Sequence, residues 1–245
     1  MERIYINPQY AELIQAQGYD TVRGLLRDTV EGSALELGAE RNTYRLELAG
    51  QGFFLKQVRK RRLGPALESL LRLRLPHHYA WREMQQVLAL QAAGLDVMEV
   101  VAAGERTRLG VPEASAILVR QVEGTALDAL YLQAEPGEQQ AMLVKLGALT
   151  AKLHQAGFFS PVRMKDIIVT AQGRYVLIDR ETRSPRPRSF SRQRAQAGLR
   201  RFLHRQRRDY PDWQSADSLS LLEGYLQALG PGWDTTAQRL LSDIS

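Results

Sequence analysis

The chain has 245 residues, 44% hydrophobic and 24% charged, which excludes disordered and fibrous classes and suffices for one large or two small domains. With no cysteine, a disulfide framework, a thiolate zinc site and a cysteine nucleophile are excluded, and a reducing compartment is expected. The net charge of +6 is uneven: 10 of the 33 basic residues, all arginine, lie between Arg183 and Arg208 in a stretch without an acid, while the other 23 face 27 acidic residues. Arginine clamps phosphate and carboxylate bidentately, so this segment seeks anions.

The N-terminus, Met1 to Pro8, lacks the basic-then-apolar pattern of a signal peptide, and no apolar run approaches the length of a membrane span. A soluble, cytoplasmic protein is expected. Residues 1–30 read as a helical preamble, with Tyr10, Leu13 and Ile14 at helical spacing and a break at Gly18-Tyr19-Asp20 before Val22, Leu25 and Leu26. Strand-like runs follow at Ala34–Leu37, Thr43–Leu48 and Phe53–Lys56, the last two joined by the hairpin turn Ala49-Gly-Gln-Gly52. Trp81–Ala93 reads as an amphipathic helix closed by Gly94, and Val97–Ala103 and Ala114–Val122 as two more strands.

After Gly124 the pattern turns helical: Leu127–Leu132, then Pro136–Gln155, whose Met142, Leu143, Leu146, Leu149 and Leu153 keep a 3.6 period. A short hairpin, Asp166–Thr170 and Tyr175–Ile178 around Ala171-Gln-Gly-Arg174, interrupts it. Helices are then expected over Ser191–Arg207, Ser218–Leu229 and Thr235–Asp243. Strands plus one helix, then a helical half, is a two-lobed α+β order and not a βαβ repeat. The expected boundaries are a preamble over 1–30, a sheet-rich lobe over 31–122 and a helical lobe over 123–245. The sequence has neither Gly-x-x-x-x-Gly-Lys nor His-Glu-x-x-His, so P-loop and zincin chemistry have no support.

Lys56 closes an alternating hairpin, and Glu83 opens a helix 27 residues later. A kinase-like fold uses this arrangement to set a lysine on the nucleotide phosphates and a glutamate on the lysine. Alone, Lys56 also fits a plain surface lysine. Further along, Leu153-His-Gln-Ala-Gly157 ends a helix, and Val176-Leu-Ile-Asp179 is a short apolar strand ending in a carboxylate suited to magnesium. His154 reads as structural. Trp81, Trp213 and Trp233 read as packing, and His77-His78 lacks a further ligand at metal spacing.

Taken in order, several segments resemble the lipopolysaccharide kinases that phosphorylate core heptose or Kdo sugars, distant relatives of eukaryotic protein kinases. They are Glu40-Arg-Asn-Thr-Tyr-Arg45, Phe54-Leu-Lys56, Leu73-Arg-Leu-Pro76 with Trp81-Arg-Glu83, Gly94–Met98, Ala103–Arg106, Leu153–Gly157 and Leu177–Asp179. The resemblance implies a bilobal protein-kinase-like fold, a β-rich N-lobe with a compact helical C-lobe, acting with ATP and Mg2+. It implies that Arg41, Asn42 and Thr43 stand in for the glycine-rich loop, that Lys56 orients ATP, that Glu83 holds Lys56, and that Asp179 binds magnesium. Residues Val119–Gly124 become the link between lobes. The arginine stretch, including Arg183, Arg186, Arg188, Arg192, Arg194, Arg200 and Arg201, would then grip an anionic lipopolysaccharide core sugar or dock on the inner face of the inner membrane. Nucleic acid is disfavoured, because no aromatics interleave with the arginines.

The departure lies in the catalytic loop. Where relatives carry His-Arg-Asp, this chain has Ser160-Pro161-Val162, so valine stands at the position of the base, and the metal-binding asparagine position aligns with Ile167. Asp166, one residue earlier, is the candidate replacement base or second metal ligand; equally, it caps a strand. General-base assistance is typically worth ~10²–10⁴ in rate, whereas phosphoryl transfer depends mainly on positioning and charge neutralisation, so turnover can survive its loss. Three readings follow: a sugar kinase of reduced activity, a pseudokinase that regulates envelope assembly without turnover, and an anion-binding module on a kinase fold.

Overall fold

The computed structural model describes residues 1–38, 40–59, 79–108, 111–179 and 186–230, and these fall into two compact units. The first comprises Met1–Ala89, Val97–Val122 and Asp179–Pro185; the second comprises Leu90–Asp96, Glu123–Ile178 and Arg186–Ser245.

The first unit is built on a six-stranded antiparallel sheet in the order β1-β5-β6-β4-β3-β2. Its strands are β1 (Glu2–Ile6), β2 (Ser33–Leu37), β3 (Arg41–Leu48), β4 (Gln51–Arg59), β5 (Val100–Arg108) and β6 (Val111–Arg120). The β3–β4 hairpin turns where the sequence pattern expects it, at Ala49 and Gly50, both with positive φ (49° and 73°), the pairing a two-residue turn requires. Alternation along β4 separates two faces. Phe53, Leu55 and Gln57 point into a core made with Tyr10, Ile14, Tyr19, Val22 and Leu25, whereas Phe54, Lys56 and Val58 point to the opposite side.

That core is supplied by α1 (Ala11–Ala16) and α2 (Val22–Leu25). Thr21 caps α2 at its start, its Oγ1 accepting from Gly24 N at 3.0 Å. At the other end the buried Gln57 Nε2 donates to the carbonyls of Leu25 (2.9 Å) and Arg27 (3.1 Å), which would otherwise be orphaned. The preamble is therefore only partly helical. Residues Glu2–Ile6 form β1, which pairs antiparallel with β5 from Glu2↔Arg106 to Ile6↔Ala102. Strand β5 also begins and ends later than the apolar run Val97–Ala103, because its polar tail is held by pairing: buried Glu105 takes an ion pair from Arg3 at 2.5 Å. The Arg3 guanidinium in turn lies 4.1 Å from the Trp81 ring centre on α3 (Tyr79–Ala92).

The second unit centres on a closely packed helix pair, α5 (Pro136–Gln155) and α7 (Ser215–Leu229), with α4 (Leu127–Gln133) and α6 (Arg192–Asp209) beside them. Both long helices open with a capping box, Glu135 with Glu138 and Gln214 with Asp217. Their axes approach closely because Gly147 and Gly224 are glycines: a methyl at either would overlap a carbonyl oxygen of the facing helix, Leu221 or Val144. The small sheet of β7 (Thr125–Ala126), β8 (Ile167–Val169) and β9 (Tyr175–Leu177) completes the unit. Asp166 belongs to a 3-10 turn, Met164–Asp166, so the strand starts one residue later than its apolar pattern suggests. The expected helix over Thr235–Asp243, Trp233, His77-His78 and Leu73–Pro76 lie outside the described residues.

Candidate active site

Lys56 faces away from the apolar core, so its ammonium must find partners on the α3 side of the sheet. It finds two. Nζ donates to Glu83 Oε1 at 2.9 Å and reaches Asp179 Oδ1 at 3.4 Å; the side chains of Lys56, Glu83 and Asp179 are 14%, 6% and 32% exposed. Burial pulls the Lys56 ammonium toward neutrality, but Glu83 and Asp179 together outweigh it, and the lysine is held above its ordinary value. Burial pushes the Glu83 carboxyl up, and Lys56 only partly offsets this. With two carboxylates on one ammonium at these distances, Lys56 stays charged.

Asp179 adopts a left-handed backbone, φ 51°, a conformation that aspartate tolerates better than most residues and that clusters at functional sites. A cavity of about 180 Å³ opens against this face, lined by Arg41, Lys56, Val58, Glu83 and Ile117 among others. The β3–β4 register pairs Thr43 with Lys56 and Arg41 with Val58, which places Arg41 and Thr43 on the Lys56 face. Asn42 departs from its expected placement. It pairs with Gln57 on the opposite face, and its Oδ1 accepts from Gly38 N at 3.2 Å, closing the β2–β3 connection. The alternation that carries Leu46 and Leu48 inward carries Asn42 with them.

In the second unit, Val162 is 1% exposed, and its carbonyl accepts from the buried Gln206 Nε2 at 3.1 Å, so this position is packed as core. Asp166, its side chain 12% exposed, is gripped through both oxygens by Arg163: Nε to Oδ2 at 2.6 Å and Nη2 to Oδ1 at 3.0 Å. Its backbone carbonyl accepts from Ile178 N at 2.8 Å, fixing the residue just before Asp179. His154 is buried, with Nδ1 2.7 Å from the Tyr225 hydroxyl; burial, and then Arg201, push it down to about 4, so it stays neutral and structural.

Of the arginines, Arg183 lies outside the described residues, while Arg186, Arg188, Arg192, Arg194, Arg200 and Arg201 are exposed. Arg194 Nη1 donates to Ser189 O and Oγ, and Arg201 Nη2 to Phe159 O. Arg192, Arg194, Arg200 and Arg201 lie on the outside of α6, which packs inward through Leu199, Phe202 and Leu203, while Arg186 and Arg188 precede the helix. The sequence reading missed Arg163, the partner of Asp166, although spacing of i to i+3 across a short turn is a readable signal. Among the described residues no group of three or more His, Cys, Asp or Glu is arranged to hold a metal ion, and no helix is long and apolar enough to cross a membrane.

The lipopolysaccharide kinase (Kdo/WaaP) family matches residues 27–225. The chain belongs to this family. The match covers Arg41, Asn42, Thr43, Lys56, Glu83, Asp166, Asp179 and the arginines from Arg183 to Arg208. Among curated proteins, the chain is 33% identical over 97 residues to the lipopolysaccharide core heptose(I) kinase WaaP of Escherichia coli, covering 40% of the chain and 37% of that protein. It is 27% identical over 123 residues to the same kinase of E. coli strain K12, covering 48% and 46%. The matched stretches thus span less than half the length of these relatives. The fold is similar over 99% of both chains to WaaP solved in complex with acyl carrier protein, with a TM-score of 0.66 at 18% identity. The protein-kinase-like, sheet-plus-helical architecture is established by that likeness.

Proposed function

We propose that the protein is an ATP-dependent kinase acting on a heptose or Kdo hydroxyl of the lipopolysaccharide core. The observation that carries this reading is the Lys56–Glu83–Asp179 constellation in a chain of the lipopolysaccharide kinase family. Lys56 offers its ammonium to the nucleotide phosphates, Glu83 fixes the long lysine stem, and Arg41 and Thr43 lie on the same face. A bound divalent cation, Mg2+ in this proposal, would neutralise phosphate charge. The residues fit it in the usual way for that ion, one carboxylate plus substrate phosphates, with Asp179 as the carboxylate.

Asp166 is the candidate to orient the acceptor hydroxyl or contribute a second metal contact. Arg163 takes one acceptor site on each of its oxygens and lowers their availability to a hydroxyl or a cation. That clasp, with Val162 buried at the base position, favours a second reading, a pseudokinase that binds nucleotide without turnover. The test is phosphate transfer from Mg·ATP to lipopolysaccharide core acceptor by wild type, Lys56→Met and Asp166→Asn. Transfer lost in both variants supports the kinase reading with Asp166 active. No transfer by wild type, with Mg·ATP bound, supports the pseudokinase.

A further inference from the structure

From Arg186 to Arg208 the chain carries nine arginines and no acidic residue. Five of them, Arg192, Arg194, Arg200, Arg201 and Arg207, are exposed on α6. Arg194 and Arg201 are one heptad apart, as are Arg200 and Arg207, which sets these four on the side opposite the buried Ala195, Leu199, Phe202 and Gln206. A helix face that need only be solvated ordinarily interleaves both signs, because like charges three or four residues apart repel one another. Here the first acid of the helix is its last residue, Asp209. The use of arginine throughout, rather than lysine, points to phosphate, which a guanidinium grips through two oxygens at once.

Geometry narrows the partner. Helix α6 has 18 residues and is about 27 Å long. Its outer side is convex, so arginines spread along it meet an extended charged plane at many points and a compact ligand at few. The segment before the helix adds Arg186 and Arg188, both exposed, and is tied down at two places. Arg188 N donates to Gly157 O at 3.0 Å, and Arg194 Nη1 donates to Ser189 O at 2.7 Å and Ser189 Oγ at 2.9 Å. Beside these ties Phe190 sets its ring centre 6.5 Å from that of Phe159 and remains 41% exposed.

A lone exposed apolar residue is ordinary on a protein surface. Phe190, however, is held in place with Arg188 and Arg192 two residues to either side and Arg186 and Arg194 four to either side. An aromatic ring flanked by cations is the pattern of an interfacial anchor: the ring enters the boundary between headgroups and acyl chains while the cations stay among the phosphates. A polynucleotide would instead be met by several rings stacked on successive bases, and the second aromatic of this stretch, Phe202, is buried in the core.

We propose that the face from Arg186 to Arg207 docks on the surface of a bilayer carrying anionic phospholipid, with α6 lying along it and Phe190 as the inserted residue. The apolar side of α6 is used in the core, so the helix itself stays outside the membrane. Docking is then electrostatic with one shallow anchor, reversible and sensitive to salt. It requires no phosphate transfer.

The experiment is co-sedimentation of the full chain with vesicles of phosphatidylcholine containing about 30% phosphatidylglycerol, and with vesicles of phosphatidylcholine alone, at low and physiological salt. Wild type should bind the anionic vesicles ~10-fold or more tightly than the neutral ones and lose affinity as salt rises. An arginine near an anionic surface is worth roughly 5-fold in affinity, so Arg200→Glu/Arg207→Glu should weaken binding by ~25-fold or more. The same change of charge elsewhere, Arg23→Glu/Arg174→Glu, should weaken it by less than about 5-fold. Phe190→Ser should weaken it by about 3-fold or more and leave the salt dependence unchanged. Melting without vesicles checks that each variant is folded; if the double arginine variant is not, the salt dependence of wild type and the Phe190→Ser result decide. Equal binding to both kinds of vesicle, equal losses in the two double variants, or unchanged binding by Phe190→Ser overturns the proposal. So does tighter binding of a single-stranded RNA or of polyglutamate than of the anionic vesicles at the same salt, which would assign the face to a nucleic acid or an acidic protein.

Discussion

On the sheet of the first unit, Lys56 meets Glu83 at 2.9 Å and Asp179 at 3.4 Å, and a small cavity with a second cation, Arg41, lies beside them. Around residues 160–166 of the second unit, Val162 is packed as core, and the carboxylate of Asp166 is clasped by Arg163. One region gathers two carboxylates on a buried ammonium beside a cavity; the other combines an apolar residue with a carboxylate already taken by an arginine. In the proposed function, nucleotide handling and proton abstraction therefore fall to different residues of the chain. Phosphoryl transfer, which relies on positioning and charge neutralisation, tolerates loss of the second far better than loss of the first.

The comparison breaks most readily at Glu83. Removing it leaves a buried ammonium with only the half-exposed Asp179, so Glu83→Ala should cost about 3–5 kcal/mol in urea unfolding, whereas Lys56→Met/Glu83→Leu, which removes the buried pair together, should recover most of that stability without nucleotide binding. Equal stability of the single and double variants would show that the pair is not energetically coupled. At Val162 the opposite substitution is informative. Val162→Asp places an unpaired carboxylate in core packing and should destabilise by roughly 3–5 kcal/mol without raising phosphate transfer; a variant that melts like wild type and transfers phosphate faster would show that this position can serve as a base.

A smaller effect comes from His154, which underlies that loop. Its value of about 4 in the folded chain lies below the ordinary 6.5, so between these pH values the unfolded chain binds the extra proton. Its contribution is complete above about pH 6.5 and is lost as pH falls toward 4, about 3 kcal/mol in all. Melting curves from pH 4.5 to 7.5 should show this slope in wild type and a flatter one in His154→Gln. Parallel slopes would remove His154 from the account.

Much of this was legible in the sequence. Periodicity was enough for α5, whose bounds, Pro136–Gln155, coincide with the apolar pattern, and for the β3–β4 hairpin at Ala49-Gly50. Strand β1 was not legible, because Glu2–Ile6 is a short edge segment whose partner, β5, lies about a hundred residues away. Asn42 was legible in principle: the alternation of Tyr44, Leu46 and Leu48 assigns it to the core face, and the reading by resemblance overrode that signal. Composition pointed to the arginine stretch as a whole, but not to the exposed place of Phe190 within it, which depends on contact with Phe159 in another segment and so on tertiary packing.

In the proposed function, Lys56, Glu83 and Asp179 form a working nucleotide site whatever the state of the catalytic loop. Thermal unfolding of wild type, Lys56→Met and Asp179→Asn with and without Mg·ATP tests it directly, asparagine being chosen because it tolerates the left-handed backbone at position 179. At 100 times the dissociation constant, binding should add about 2.7 kcal/mol, a rise of roughly 5–10 °C for a chain of this size. The account predicts that magnesium-dependent rise in wild type and its absence in both variants. No rise in wild type at saturating Mg·ATP, or an equal rise in all three proteins, would contradict it.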